Sequence, residues 1–190
     1  MEKRKGKKMK KILFIVGSLR TQSFNKQIAE YVEGYLKGKA EITYLDYQEV
    51  PFINQDIEYP APPEIVELRK TVGSADGLWV FSPEYNYSYP GAVKNIFDWL
   101  SRPLKPMDYE SGSTIQGKKV TVSGIGGQAG TAGMRAKLHE FLGFIKAIPM
   151  VQDEAGLTVN PEAWATDQLT LSAEQKTALE AQADDFMNFI

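Results

Sequence analysis

The chain has 190 residues, the usual size of one domain, and its 43% hydrophobic and 24% charged residues match ordinary globular proteins, which excludes disordered and fibrous classes. It has no cysteine and one histidine, His139, which excludes disulfide frameworks, thiolate and multi-histidine metal sites, cysteine nucleophiles and dithiol couples; redox chemistry would need a borrowed cofactor. The net charge of −2 is uneven: residues 1–11 hold seven Lys/Arg and one Glu, so this end is +6 and the remainder −8. Residues 1–9 are therefore expected to be a disordered basic leader before a single domain over 10–190, although a basic arm could also reach nucleic acid or anionic lipid. The first apolar run, Ile12 to Val16, is too short for a signal-peptide core, and no later stretch approaches the ~18 to 20 apolar residues of a membrane span. A cytoplasmic protein is expected, with no nucleic-acid or membrane partner.

In chain order, Ile12 to Val16 reads as a strand buried on both faces. Ser23 or Asn25 can cap a helix in which Phe24, Ile28, Tyr31, Val32 and Tyr35 recur at helical spacing, ending near Gly38. Glu41 to Leu45 is a second strand, followed by a proline-rich, acidic loop from Val50 to Pro63. Ile65, Val66, Leu68 and Val72 mark a helix closing at Gly73, Gly77 to Phe81 is the third strand, and a helix beyond Pro90 stops before Pro103. A fourth strand, Val120 to Val122, runs into a glycine-rich loop; a helix from about Gly133 to Lys146 and a fifth strand, Ile148 to Val151, follow. Ser172 caps a last helix that runs to Ile190, while Leu157 to Gln168, with Trp164, reads either as a connector or as a cover for a neighbouring subunit.

Strands that alternate with helices imply a parallel sheet covered on both faces, because right-handed crossovers pack each helix back on the sheet. Five strands in this length suit a flavodoxin-like, doubly wound α/β fold of order 2-1-3-4-5, whose ligands bind at the carboxyl ends of the strands. The site should then lie in the loops after strands one, three and four.

The first of these loops, Gly17 to Asn25, brings hydroxyls, an amide, the Arg20 guanidinium and free N–H groups to a helix N-terminus, a chemistry suited to phosphate. Alternatively, Ser23 or Asn25 simply caps the helix. No glycine-lysine-serine/threonine follows the strand, so a P-loop is absent. The second loop, Ser82 to Gly91, sets two prolines among three tyrosines, which makes a wall for a heteroaromatic ring or an oligomer contact. Lys94 and Asp98 form an i,i+4 pair expected to support the helix.

Gly17-Ser18-Leu19-Arg20 with Ser23 and Asn25, then Pro83-Glu84-Tyr85-Asn86 with Ser88, Pro90-Gly91, Lys94-Asn95 and Asp98-Trp99, closely resembles the NADPH-dependent FMN reductase family of azo, quinone and chromate reductases. The resemblance spans roughly residues 10–150. It implies a flavodoxin-like fold that binds FMN noncovalently, with Ser18, Arg20, Ser23 and Asn25 around the phosphate and the backbone of Pro83, Glu84, Tyr85 and Asn86 beside the isoalloxazine. It also implies that Ser123, Gly124, Gly126 and Gly127 of the third loop face the flavin, and that the protein is a homodimer or homotetramer. The tyrosine loop and the helix carrying Val93, Phe97 and Trp99 are apolar enough to suggest such an assembly as well.

Gly124 to Ala129 also fits the dinucleotide fingerprint GxGxxA, with Asp153 or Glu154 after the next strand as a ribose acid, but a dinucleotide fold starting near residue 118 would lack chain for its strands. Gly130-Thr131-Ala132-Gly133 departs from the family pattern, which has an arginine in this loop. His139 reads as a surface or interface residue, and Asp46, Asp56 and Glu58 as strand-end and solvated-loop carboxylates, so a hydrolase has no base. No protein side chain is assigned a catalytic role and no metal is expected. The expected function is hydride transfer from NADPH or NADH to bound FMN and on to a quinone, azo compound, free flavin or oxidised metal ion in a ping-pong cycle. A flavodoxin-type electron carrier and a nonenzymatic phosphate- or nucleotide-binding regulator are the alternatives.

Overall fold

The computed structural model describes residues 9–152 and 154–190; the expected leader falls outside these save for Met9, as does Asp153. The sheet order is β2-β1-β3-β4-β5, built from β1 (Lys10–Val16), β2 (Ala40–Tyr44), β3 (Gly77–Phe81), β4 (Lys119–Gly126) and β5 (Ile148–Pro149). All four pairings along this path are parallel, and β1 lies between β2 and β3 with Ile12 opposite both Ile42 and Gly77. This is the flavodoxin-like order expected from the alternating pattern.

Helices α2 (Pro63–Ser74), α3 (Gly91–Leu100) and α4 (Ala132–Phe144) cover one face, while α1 (Phe24–Leu36) and α6 (Ala173–Phe189) cover the other. Because both faces are covered, every residue of β3 is buried and reads as one apolar run. Under α6, Trp79 stacks on Phe81 with centroids 5.1 Å apart, and Phe14 meets both rings edge-on. Ser172 caps α6 in a reciprocal box with Gln175, as its position before the apolar periodicity predicts.

The fifth strand differs from expectation. Only Ile148 and Pro149 pair with the start of β4, while a further strand, β6 (Gly156–Thr158), pairs with its end, Gly124 to Gly126. The edge between them is filled by a side chain: the Val122 N–H donates to Glu154 Oε1 at 2.8 Å, and Glu154 Oε2 lies 2.6 Å from His139 Nε2. A two-residue strand, a carboxylate and a three-residue strand together cover the edge of β4, an arrangement without an apolar period.

The Val50 to Pro63 loop also departs from its reading as solvated. Glu58 is 4% exposed and receives both Nε and Nη2 of Arg102, at 2.7 and 2.9 Å. That fork holds the Glu58 carboxyl below the ordinary carboxylate range against the opposing effect of burial. A depressed pKa stabilises fully above the unfolded value, and the contribution is lost as pH falls through the lower folded value. Glu58→Gln is expected to cost about 3 kcal/mol at neutral pH, the low end for a broken buried pair because Arg102 can reach water. It should also flatten the acid limb of a denaturation profile below about pH 4.5, the ordinary carboxylate value. An unchanged acid limb would separate Glu58 from that stability.

Candidate functional site

The carboxyl ends of β1, β3 and β4 are locked to one another by backbone. The Gly17 N–H donates to the Phe81 carbonyl at 2.7 Å and the Ser82 N–H to the Ser123 carbonyl at 2.9 Å. Glycine is needed at both ends of this row for close approach. A Cβ on Gly17 would lie 2.8 Å from Ser82 Oγ and 2.9 Å from Val93 Cγ2, and one on Gly124 would lie 2.5 Å from the Ser82 carbonyl oxygen. The three loops singled out in the sequence therefore leave the sheet side by side.

In the first loop Ser23 is the cap of α1, its Oγ accepting from the Lys26 N–H at 3.3 Å. Asn25 is not a cap. It is buried, its Nδ2 donating to the Ile125 carbonyl and its Oδ1 accepting from the Ile125 N–H, both at 3.1 Å, so it joins α1 to β4. The first turn of α1 has no acidic residue, and the N–H groups of Thr21, Gln22 and Phe24 find no acceptor among the described residues. Ser18 Oγ accepts from the Arg20 N–H at 3.3 Å, shaping the turn, and Arg20 lies over the Phe24 ring while its Nη2 contacts the Asp167 carboxylate. A cleft of about 520 Å³ opens here, lined by Ser18, Arg20, Thr21, Asp46 and Tyr47, within the ~300–1,000 Å³ usual for small-molecule sites. It runs toward the end of β2 and does not reach the second and third loops. Tyr47 at its floor donates to the Val16 carbonyl, and burial, with Tyr85 nearby, pushes its phenol up to about 12.

The second loop closes on itself: Tyr85 and Ser88 exchange N–H···O bonds at 2.8 and 3.0 Å around Asn86 and Tyr87. These two central residues have φ of 52° and 60°, the left-handed pair of a tight hairpin turn, a strained setting for tyrosine. Glu84 accepts from the Met134 N–H at 2.8 Å, placing a carboxylate at the positive end of α4. Thr131, before that helix, is buried with φ of 59°. Its β-branched side chain makes this an unusual left-handed residue, costing about 1–3 kcal/mol. The GxGxxA match has no dinucleotide architecture around it, since Ala129 lies in the turn before α4.

Other motif residues hold the scaffold. Asn95 donates to the Pro51 carbonyl and accepts from the Ile53 N–H, and Trp99 Nε1 donates to the same Pro51 carbonyl. Lys94 bonds Asp98 at 2.6 Å and sits over Phe141, the helix-supporting pair anticipated. Val93, Phe97 and Trp99 are fully buried within the chain, so the apolar helix that suggested a subunit contact is core; Tyr85 and Tyr87 of the second loop stay exposed, as does Phe52 beside α3. Ser123 turns its hydroxyl inward, accepting from Trp79 Nε1 and donating to Gln182 Oε1. A Cβ on Gly126 would press on Thr131 Cγ2 at 3.2 Å, whereas one on Gly127 would meet open space. Trp164 and Asp167 were missed by sequence reasoning as site neighbours, since nothing local links them to α1.

The family model for NADPH-dependent FMN reductases matches residues 10–159. The chain belongs to that family. It is 33% identical to a 2-hydroxy-1,4-benzoquinone reductase of Burkholderia sp over 76% of each chain, and 31% identical to a quinone reductase of Escherichia coli K12 over 75% of this chain and 74% of the relative. Among solved structures, FerB of Paracoccus denitrificans, a flavoenzyme NAD(P)H:(acceptor) oxidoreductase, superposes with a TM-score of 0.83 at 29% identity, covering 95% of this chain and 96% of its own. The protein is thus an oxidoreductase that uses FMN as cofactor and NAD(P)H as donor. Its first loop fits such a cofactor: hydroxyls, a guanidinium, unpaired N–H groups and a helix start free of acid suit a terminal phosphate. Among the described residues no helix is long and apolar enough to cross a membrane.

Proposed function

We propose that this protein works by a ping-pong cycle in which NADPH or NADH and a small-molecule acceptor use one open face in turn. The acceptor is a quinone, an azo compound, free flavin or an oxidised metal ion; quinones are the class supported most directly by the names of the relatives. FMN, when bound, would supply the two-electron chemistry that links a hydride donor to the acceptor. Ser18, Arg20 and Ser23 hold its phosphate, with Asn25 fixing the loop from behind through Ile125. The backbone of Pro83, Glu84, Tyr85 and Asn86 lines the ring edge, kept in place by the Glu84 bond to α4. Among Ser123, Gly124, Gly126 and Gly127, Gly127 is the position with room for a ligand, and the other three support it.

The observation that carries this reading is the row of backbone bonds that sets all three loops side by side at the sheet's carboxyl edge. Homodimer or homotetramer assembly through the exposed Tyr85 and Tyr87, and a cytoplasmic location, complete the proposal.

Steady-state rates with NADPH and a quinone are expected to give parallel double-reciprocal lines, and anaerobic mixing with either nicotinamide alone to bleach the flavin. Intersecting lines would overturn the alternating use of one face. Absence of bleaching by both donors would favour the carrier. The same preparation scattering light at the 21.2 kDa chain mass with full activity would refute the oligomer.

A further inference from the structure

The short helix α5 (Ala163–Thr166) and the residues after it cross the start of α1. Trp164 sets its ring edge-on to Phe24, with centroids 5.2 Å apart. Gln27 Nε2 donates to the Asp167 carbonyl at 2.9 Å, and Gln27 Oε1 accepts from the Leu169 N–H at 2.8 Å. One glutamine thus clasps the strap at two backbone atoms. Asp167 ends α5 with φ of 59°, and its carboxylate reaches the Arg20 guanidinium from 147 positions away in sequence.

Trp164 and Gln27 hold the strap without the ion pair, so the acid at Arg20 is not needed to fasten it. Arg20 is the one cation between Gly17 and Asn25, and the Arg20 and Asp167 side chains remain 46% and 43% exposed. A pair this wet is weakly held and exchanges readily.

We propose that Asp167 is an intramolecular stand-in for the cofactor phosphate: it occupies Arg20 in the flavin-free protein and gives it up when the phosphate arrives. The inference rests on reading the loop between β1 and α1 as the phosphate site. Carboxylate and phosphate compete for the same planar fork of donors, and the dianion is the stronger partner. Asp167 therefore lowers FMN affinity without closing the cleft, and it does so only for ligands that carry the phosphate. A carboxylate that merely positioned Arg20 would have the opposite sign, because its removal would loosen the guanidinium and weaken FMN.

The test uses the full chain freed of flavin and titrated with FMN and with riboflavin, read by flavin fluorescence. Asp167→Asn keeps a residue that tolerates the left-handed backbone. It is expected to raise FMN affinity three- to tenfold, about 0.6–1.4 kcal/mol at 1.4 kcal/mol per decade, and to leave riboflavin within twofold. Placed in an Arg20→Ala background, the same substitution should change FMN affinity less than twofold. Unchanged or weakened FMN binding in Asp167→Asn, with Arg20→Ala still discriminating between FMN and riboflavin, would overturn the role of Asp167 and leave the phosphate site standing. Failure of Arg20→Ala to discriminate would overturn the phosphate reading itself, and the stand-in with it.

Discussion

Gln182→Ala is expected to destabilise the protein by about 3–5 kcal/mol, a large part of the ~5–15 kcal/mol that holds a domain together. Gln182 is fully buried on α6 and makes four hydrogen bonds. Its Oε1 accepts from Ser123 Oγ at 2.7 Å and the Ala155 N–H at 2.8 Å, and its Nε2 donates to Thr121 Oγ1 at 2.8 Å and the Val122 carbonyl at 3.0 Å. Ser123 Oγ also accepts from Trp79 Nε1, so one amide organises the polar groups of two central strands under α6. Truncation leaves the Ala155 N–H and the Thr121 hydroxyl unpaired in a dry interior and adds a cavity. The melting temperature should fall by roughly 10 °C or more for a chain of this size. Gln182→Leu keeps the volume but not the bonds. If it melted like the wild type, the stabilisation would be packing alone.

Arg20→Ala is expected to weaken FMN about ten- to a hundredfold, because a hydrogen bond to a charged group is worth about 1.5–3 kcal/mol. Folding should change by less than about 1 kcal/mol, since the contact with Asp167 is an exposed pair. Ser23→Ala is expected to lose affinity too, but also about 1 kcal/mol of stability, because Ser23 is the buried cap of α1. Affinity measured by flavin fluorescence and stability of the flavin-free protein by denaturant separate these two costs. Arg20→Lys retains the charge without the fork and should fall between wild type and Arg20→Ala. Wild-type FMN affinity in both alanine variants would remove the phosphate from this loop.

The order of strands and helices was legible in the sequence because both faces of the sheet are covered. Ile12 to Ile15 and Gly77 to Phe81 are continuous apolar runs for that reason, and the helices between them carry their apolar stripes at helical spacing. The candidate loops were legible because proline, glycine and clustered hydroxyls interrupt those runs at the strand ends. Which residue of each loop holds the scaffold was not. Ser23 and Asn25 looked equivalent as caps, yet one bonds its own helix and the other reaches Ile125, 100 positions away. Val93, Phe97 and Trp99 suggested a subunit contact by their apolar character, but spacing alone could not assign Phe97 and Trp99 to a face, and packing places all three in the core. β6, the bond from Glu154 to Val122, the clasp of Gln27 on the strap and the meeting of Asp167 with Arg20 have no local signature. Local spacing records which side of an element is buried, because burial acts on every turn or pair of residues. A single side chain that bonds a distant backbone group leaves no period, so only the closed tertiary structure decides its partner.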